Sequence, residues 1–159
     1  MKGRTPDGQL LASPGRRLAG YLIDAVLWVM ICLLVVAALF AAFAVYFFTG
    51  DDKDESGADT TFWVSLVALL LVVGVLRLVV EAERVARRGQ TWGMWAVHVR
   101  AVDDRTGGLV SRPRAWARVA FASSLSGSFL GLGYWWALFD DRRRTLHDLV
   151  CSIVVVDES

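Results

Sequence analysis

Three apolar blocks separated by charged stretches set the pattern of this chain. The first, residues 18–48, reads LAGYLIDAVLWVMICLLVVAALFAAFAVYFF and holds one charged side chain, Asp24. A helix rising about 1.5 Å per residue crosses a hydrocarbon core of about 30 Å in roughly 20 residues, so this block spans a membrane with turns to spare. The second block, residues 62–80, has Arg77 as its only charge and is long enough to cross back, making a helical hairpin. The third, residues 115–139, carries Arg118 near its start and SSLSGSFLGLG in its middle, where small residues permit both close helix contact and a break. The pattern predicts an all-α integral membrane fold with three apolar helical segments.

The stretches between these blocks are polar. Residues 49–61 form a loop with five acids against Lys53, and residues 81–114 hold seven arginines and four acids, with Trp92 and Trp95 at headgroup-belt positions. WAVHVRAV, from Trp95 to Val102, alternates with period two and is followed by the turn-forming DDRTGG, which predicts a short β-hairpin at the surface. Ser111 and Pro113 read as the N-cap and first-turn proline of the third helix. In the tail, VCSIVVV is too short to span and suits a strand or an interfacial segment. The first residues, through Ser13, are too polar to fold alone and read as a flexible arm. The apolar run behind them is about twice the length of a signal-peptide core, with no A-x-A-like cleavage site after it, so it stays as an anchor. Organisation is therefore an arm at 1–15, one membrane domain at 16–156 and a short tail at 157–159.

Both basic sections, the arm with Arg16 and Arg17 and the 81–114 stretch, belong on the cytoplasmic side, and the acidic loop belongs opposite. Three full crossings would then place the C-terminus outside, whereas Arg142, Arg143 and Arg144 favour the inside. A broken or re-entrant third segment around Gly127 reconciles the two, since irregular backbone is tolerated at membrane depth where protein or water covers it.

Composition narrows the function. The chain is 55% hydrophobic and 21% charged, segregated into blocks, and its formal net charge of +1 forms no continuous basic face, which argues against nucleic acid as a partner. Cys32 and Cys151 have no metal or disulfide spacing and read as small apolar fillers. Neither histidine, His98 or His147, has a second ligand at metal spacing, and His147 and Asp148 are adjacent, so on a helix they diverge by about 100°. Gly127, Gly131 and Gly133 lack phosphate-binding spacing. No enzymatic chemistry, metal or cofactor is expected.

What remains is the charge inside the spans. An ionisable group at membrane depth costs about 2.5 kcal/mol or more unless partnered. Arg17, Gly20, Tyr21, Asp24, Trp28 and Ile31 share one helix face, but Arg17 and Asp24 lie two turns apart, too far for a direct pair. Arg77 falls near the end of the second block, level with Asp24 in an antiparallel hairpin, and is the expected partner of Asp24. Such a pair either neutralises charge so that helices pack or takes part in moving ions or protons.

Taken together, RRLAGYLID, GQTWG at Gly89–Gly93, VRAVD before a Gly-containing turn, Arg118 and RRRTLHD resemble the RDD family of bacterial membrane proteins. Arg17, Asp24 and Asp148 match the arginine and two aspartates for which the family is named. Met94 stands where the family commonly has a lysine, and Ser152 and Ile153 where it usually has a Gly-Thr pair. The resemblance implies a multi-span protein of the bacterial cytoplasmic membrane for which transport, in some members cation/proton exchange, is the usual suggestion. With so few spans, transport calls for a homo-oligomer. The competing reading is a non-catalytic accessory subunit of a larger membrane assembly, with Arg17, Asp24, Arg77, Arg118, Arg143, His147 and Asp148 as the candidate functional residues under either. Asp148 is then expected to pair with one of Arg142 to Arg144.

Overall fold

A computed structural model describes residues 4–5, 7–49, 55–126, 136, 140, 142 and 144–159. Its main elements are two long helices, α1 (Pro14–Thr49) and α2 (Glu55–Arg88), followed by α3 (Trp92–Ala96), β1 (Val99–Asp103), α4 (Arg112–Phe121), α5 (Leu146–Val150) and β2 (Ile153–Asp157). α1 opens on Pro14, whose ring presets a helical φ where no N–H partner is needed, and α2 ends on Arg87 and Arg88, cations placed at the negative end of the helix dipole. Both helices are long and apolar enough to cross a membrane, and their most apolar windows are 0% and 6% buried. A core helix of a water-soluble protein would hide that face; here the leucines and valines of α1 and α2 are exposed, as suits helices that meet lipid.

The chain divides into two units. One is Val26–Arg77, which holds the greater part of both helices. Lipid offers apolar side chains no reason to leave it, so the helices meet through shape. Phe62, buried on α2, lies 4.9 Å from the Phe40 ring and 4.7 Å from that of Phe43 on α1, contacts worth about 0.5–1.5 kcal/mol each.

The other unit combines Met1–Ala25 with Leu78–Ser159. Its core gathers Val85, Met94, Val99, Ala101, Val110, Ala115, Cys151, Ile153 and Val155. β1 and β2 pair antiparallel, with Val99 opposite Asp157 and Asp103 opposite Ile153. The expected hairpin is thus not closed locally. The Asp103 carboxylate accepts the N–H groups of Arg105 and Thr106, which folds 103–108 into a tight loop, but the returning chain makes only the single bridge from Val102 to Leu109. The full partner of β1 comes instead from the C-terminal tail. On the other edge of β2 runs the N-terminal arm: Ala12 donates to the Val155 carbonyl, Asp157 donates to that of Leu10, and Leu11 bridges Val156. From Leu10 to Ala12, then, the arm is docked rather than free, because β2 would otherwise present an open edge. Flanked on both edges and covered on both faces, Ile153 to Val156 are all buried, which is why the segment is a continuous β-branched run without alternation.

The third apolar block is described only in its first part. Its first residues lie in α4, which carries Arg112, Arg114 and Arg118 and packs Ala115 and Val119 inward. Ser111 stands at the N-cap without a side-chain bond, and Pro113 occupies the first turn. A π-helical turn, Ala122–Ser126, follows α4; Gly127 and the break expected around it lie outside the described residues. A third apolar helix is not among the described elements.

Candidate functional site

Two carboxylates anchor the lower turns of α1, both within the unit built on the sheet. The first is Asp148, 1% exposed, in the first turn of α5. Thr145 caps that helix, its hydroxyl accepting the N–H of Asp148. Arg118 from α4 donates through Nε to Asp148 Oδ1 at 2.7 Å, and Arg17 from α1 donates to Oδ2 at 3.5 Å and to the Val155 carbonyl at 3.0 Å. One carboxylate thereby ties α1, α4, α5 and β2. Burial alone would raise its pKa, but Arg118 above all, with Arg17, outweighs that and holds it below the ordinary carboxylate range. His147 beside it is buried as well, and desolvation pulls its pKa down to about 4 against the opposing pull of Asp148. It is a neutral imidazole at neutral pH, 3.8 Å from the carboxylate.

Of the arginine triplet expected to supply a partner for Asp148, the described members bond elsewhere. Arg142 bonds Asp104, Arg144 bonds Asp140 and Asp104, and Arg143 lies outside the described residues. Those side chains close the 103–108 loop against the segment before α5, while the buried carboxylate takes arginines that have no other way to leave water.

The second anchor is Asp24, one turn above Gly20 on the face of α1 that also holds Arg17. Its Oδ2 accepts the Thr91 hydroxyl at 2.6 Å and its Oδ1 the Gly93 N–H at 2.7 Å. Each carboxylate oxygen thus has a neutral donor, and the field of Asp24 also reaches Arg84. Arg77 belongs to the other unit. The donors come from GQTWG, each residue of which has a task. Gly89 ends α2 at φ +71° and lies so close to Ala101 that a Cβ there would sit 2.8 Å from its carbonyl oxygen. Gln90 donates to the Val99 carbonyl and to Glu158. Thr91 caps α3, accepting from Met94 N at 3.2 Å while donating to Asp24. The Trp92 ring carries the Arg84 guanidinium at 3.6 Å. Gly93 packs on Gly20 backbone to backbone.

A model of the RDD family matches residues 11–152. The chain belongs to the RDD family. No curated protein and no solved structure matches it. In this RDD protein the matching arginine and two aspartates form two separate anchors rather than one triad: Arg17 with Asp148, and Asp24 with GQTWG. Arg118 belongs to the first. Thr91, Gly93 and Gly20 were the functional partners that residue-by-residue reasoning missed; the signal available was that Gly20 sits four residues before Asp24 on its own face, a gap into which backbone can fit. Arg114 was missed also: it bonds Asp103 and donates to the Cys151 and Ser152 carbonyls at 2.9 and 3.0 Å, holding α4 to the start of β2.

Proposed function

We propose that this RDD-family protein is a non-catalytic accessory subunit of the bacterial cytoplasmic membrane, crossing it with α1 and α2, its N-terminus and the sheet-based unit in the cytoplasm. The observation that carries this reading is that the family's charged residues spend their bonding capacity inside one unit. Both Asp148 oxygens go to arginines, and both Asp24 oxygens go to neutral donors. A carboxylate that ferries protons must change partners as it loads and unloads; one held at 1% exposure by two guanidiniums works as a clamp. The clamps set a rigid cytoplasmic cap on α1 and α2 for another subunit to read.

Cation/proton exchange by a homo-oligomer is the second reading, and Asp24 is the feature that favours it. It lies in the apolar stretch of α1, and the Thr91 hydroxyl can rotate to donate to a carboxylate or accept from a carboxylic acid. Purification of the tagged protein from its native membrane in a mild detergent, followed by mass determination, separates the two. A stoichiometric set of other subunits supports the accessory role. A homo-oligomer that exchanges ions in liposomes, and loses the flux but not the fold in Asp24→Asn, overturns it.

A further inference from the structure

Apart from its anchors, the unit built on the sheet sets two arginines side by side on one helix with no carboxylate bonded to either among the described residues. Arg84 and Arg88 are one turn apart on α2, close enough to repel. Among the described residues neither has a hydrogen-bond partner, and the Nε of Arg84 is buried without one. The Asp24 carboxylate lies within electrostatic reach of Arg84, yet both its oxygens are already used by Thr91 and Gly93. Arg87, on the same helix, is by contrast bonded to Glu83 at 3.0 Å, and so is Arg112 at 2.7 Å. Two neighbouring guanidiniums without a carboxylate, one of them with a buried and unbonded Nε, make a local concentration of positive charge that an anion would relieve.

Their depth indicates which anion. Gly93 touches Gly20, the third residue of the apolar run that begins at Leu18, so α3 lies beside the first turns of the span. Trp92 and Trp95 of α3 are 47% and 62% exposed, an arrangement suited to the boundary between headgroups and acyl chains. Arg84 stands four residues past Val80 on α2, about 6 Å beyond the apolar stretch, with its guanidinium over the Trp92 ring. We propose that Arg84 and Arg88 bind the phosphodiester of an anionic lipid headgroup on the cytoplasmic leaflet, with Trp92 and Trp95 against its glycerol and upper acyl carbons. Contact with the Trp92 ring already restrains the Arg84 side chain, so less of its freedom is lost on binding the phosphate. The site rests on α1 and α2 crossing the bilayer and is independent of whether the protein is an accessory subunit or an exchanger.

The test is native mass spectrometry of the full-length protein in detergent, titrated with phosphatidylglycerol, with phosphatidylcholine, and with phosphatidylglycerol in the presence of millimolar inorganic phosphate. Wild type should retain phosphatidylglycerol about tenfold better than the Arg84→Gln/Arg88→Gln variant, as expected for loss of charge-assisted bonds to one anion. Arg88→Gln alone, at an exposed position, should fold normally and lose at least threefold. Arg87→Gln removes the same charge from the same helix and should leave retention unchanged, which separates a site from bulk charge. Equal retention by wild type and Arg88→Gln, or an equal loss in Arg87→Gln, overturns the proposal. So does displacement of the lipid by inorganic phosphate, which would assign the arginines to a soluble phosphate instead.

Discussion

Replacing Gly93 by alanine would drive a methyl carbon into the Gly20 carbonyl oxygen, 2.8 Å from the Gly20 carbonyl carbon and 2.9 Å from Cγ of Asp24. Carbon atoms pack best at about 3.5–4.0 Å, so α3 must retreat from α1 by on the order of 1 Å. The retreat cannot be absorbed by a flexible side chain, because two of the three atoms met are backbone inside a helix. It also stretches the two bonds that cross the gap, Gly93 N–H to Asp24 and the Thr91 hydroxyl to Asp24, now 2.7 and 2.6 Å. Overpacking costs about 1–3 kcal/mol, and weakening bonds to a buried carboxylate adds about 1.5–3 kcal/mol. A total on the order of 4 kcal/mol is a large share of the roughly 5–15 kcal/mol that holds a domain folded.

The control is Gly74→Ala on α2, where an added Cβ meets nothing within 4 Å and alanine improves helix propensity by up to about 1 kcal/mol. Detergent-solubilised protein, heated and then passed over a sizing column with fluorescence detection, reports the loss of folded species. At about 2–4 °C per kcal/mol for a chain of this size, Gly93→Ala should melt on the order of 10 °C below wild type and Gly74→Ala at or above it. Asp24→Ala provides the cross-check. In that background Gly93→Ala should cost less, because the bonds it would break are already gone and only the collision with Gly20 remains. If Gly93→Ala melts with wild type, or if the two substitutions are additive, the contact between α1 and α3 does not depend on this glycine and the anchor reading of Asp24 fails.

Two further outcomes follow from the Asp148 anchor. Asp148→Asn keeps the volume but strands the buried Arg17 and Arg118 guanidiniums, so folded yield and melting temperature should drop by the equivalent of about 3–5 kcal/mol; an unchanged melting curve would remove the clamp. His147, whose pKa is pulled from 6.5 to about 4 in the fold, takes up its proton first in the unfolded chain. Its contribution is therefore fully present above about pH 6.5 and is lost as pH falls towards 4, on the order of 3 kcal/mol in all. His147→Gln should flatten the pH dependence of the melting temperature in that window, and an unaltered slope would show that the histidine is not held neutral.

What could be read directly from the chain were the features that depend on one segment at a time. The length of the apolar runs at 18–48 and 62–80 is dictated by bilayer thickness, and α1 and α2 carry them. The start of the third helix was legible from Ser111 and Pro113, but a window of apolar residues hides the helical spacing that gives α4 an inward stripe of Ala115 and Val119 and leaves its arginines for the sheet and for Asp148. The strand in the tail was legible from its β-branched run, yet its neighbours were not. A period-two stretch followed by a Gly-rich turn favours a hairpin on local grounds, and nothing in β1 reveals that Ile153 to Val156 must be covered on both faces and both edges. Leu10 to Ala12 close the remaining edge, which is why a segment too polar to fold alone is ordered once β2 exists to receive it.

The donors that answer Asp24 were hidden for the same reason. Charge complementarity points to Arg77 because a carboxylate in a span needs an answer, and the nearest isolated cation is the economical guess. Within its own unit the carboxylate accepts one N–H and one O–H, donors that every chain has in abundance and that no charge pattern marks. What makes them available is a backbone approach to Gly20 that the missing side chain of Gly93 allows, with Thr91 turned inward as the cap of α3. The consequence is physical as well as interpretive: because neutral donors answer Asp24, Arg84 has no direct bond to it while remaining within its field, and its guanidinium stays on the Trp92 ring beside Arg88, in position for the anion proposed above.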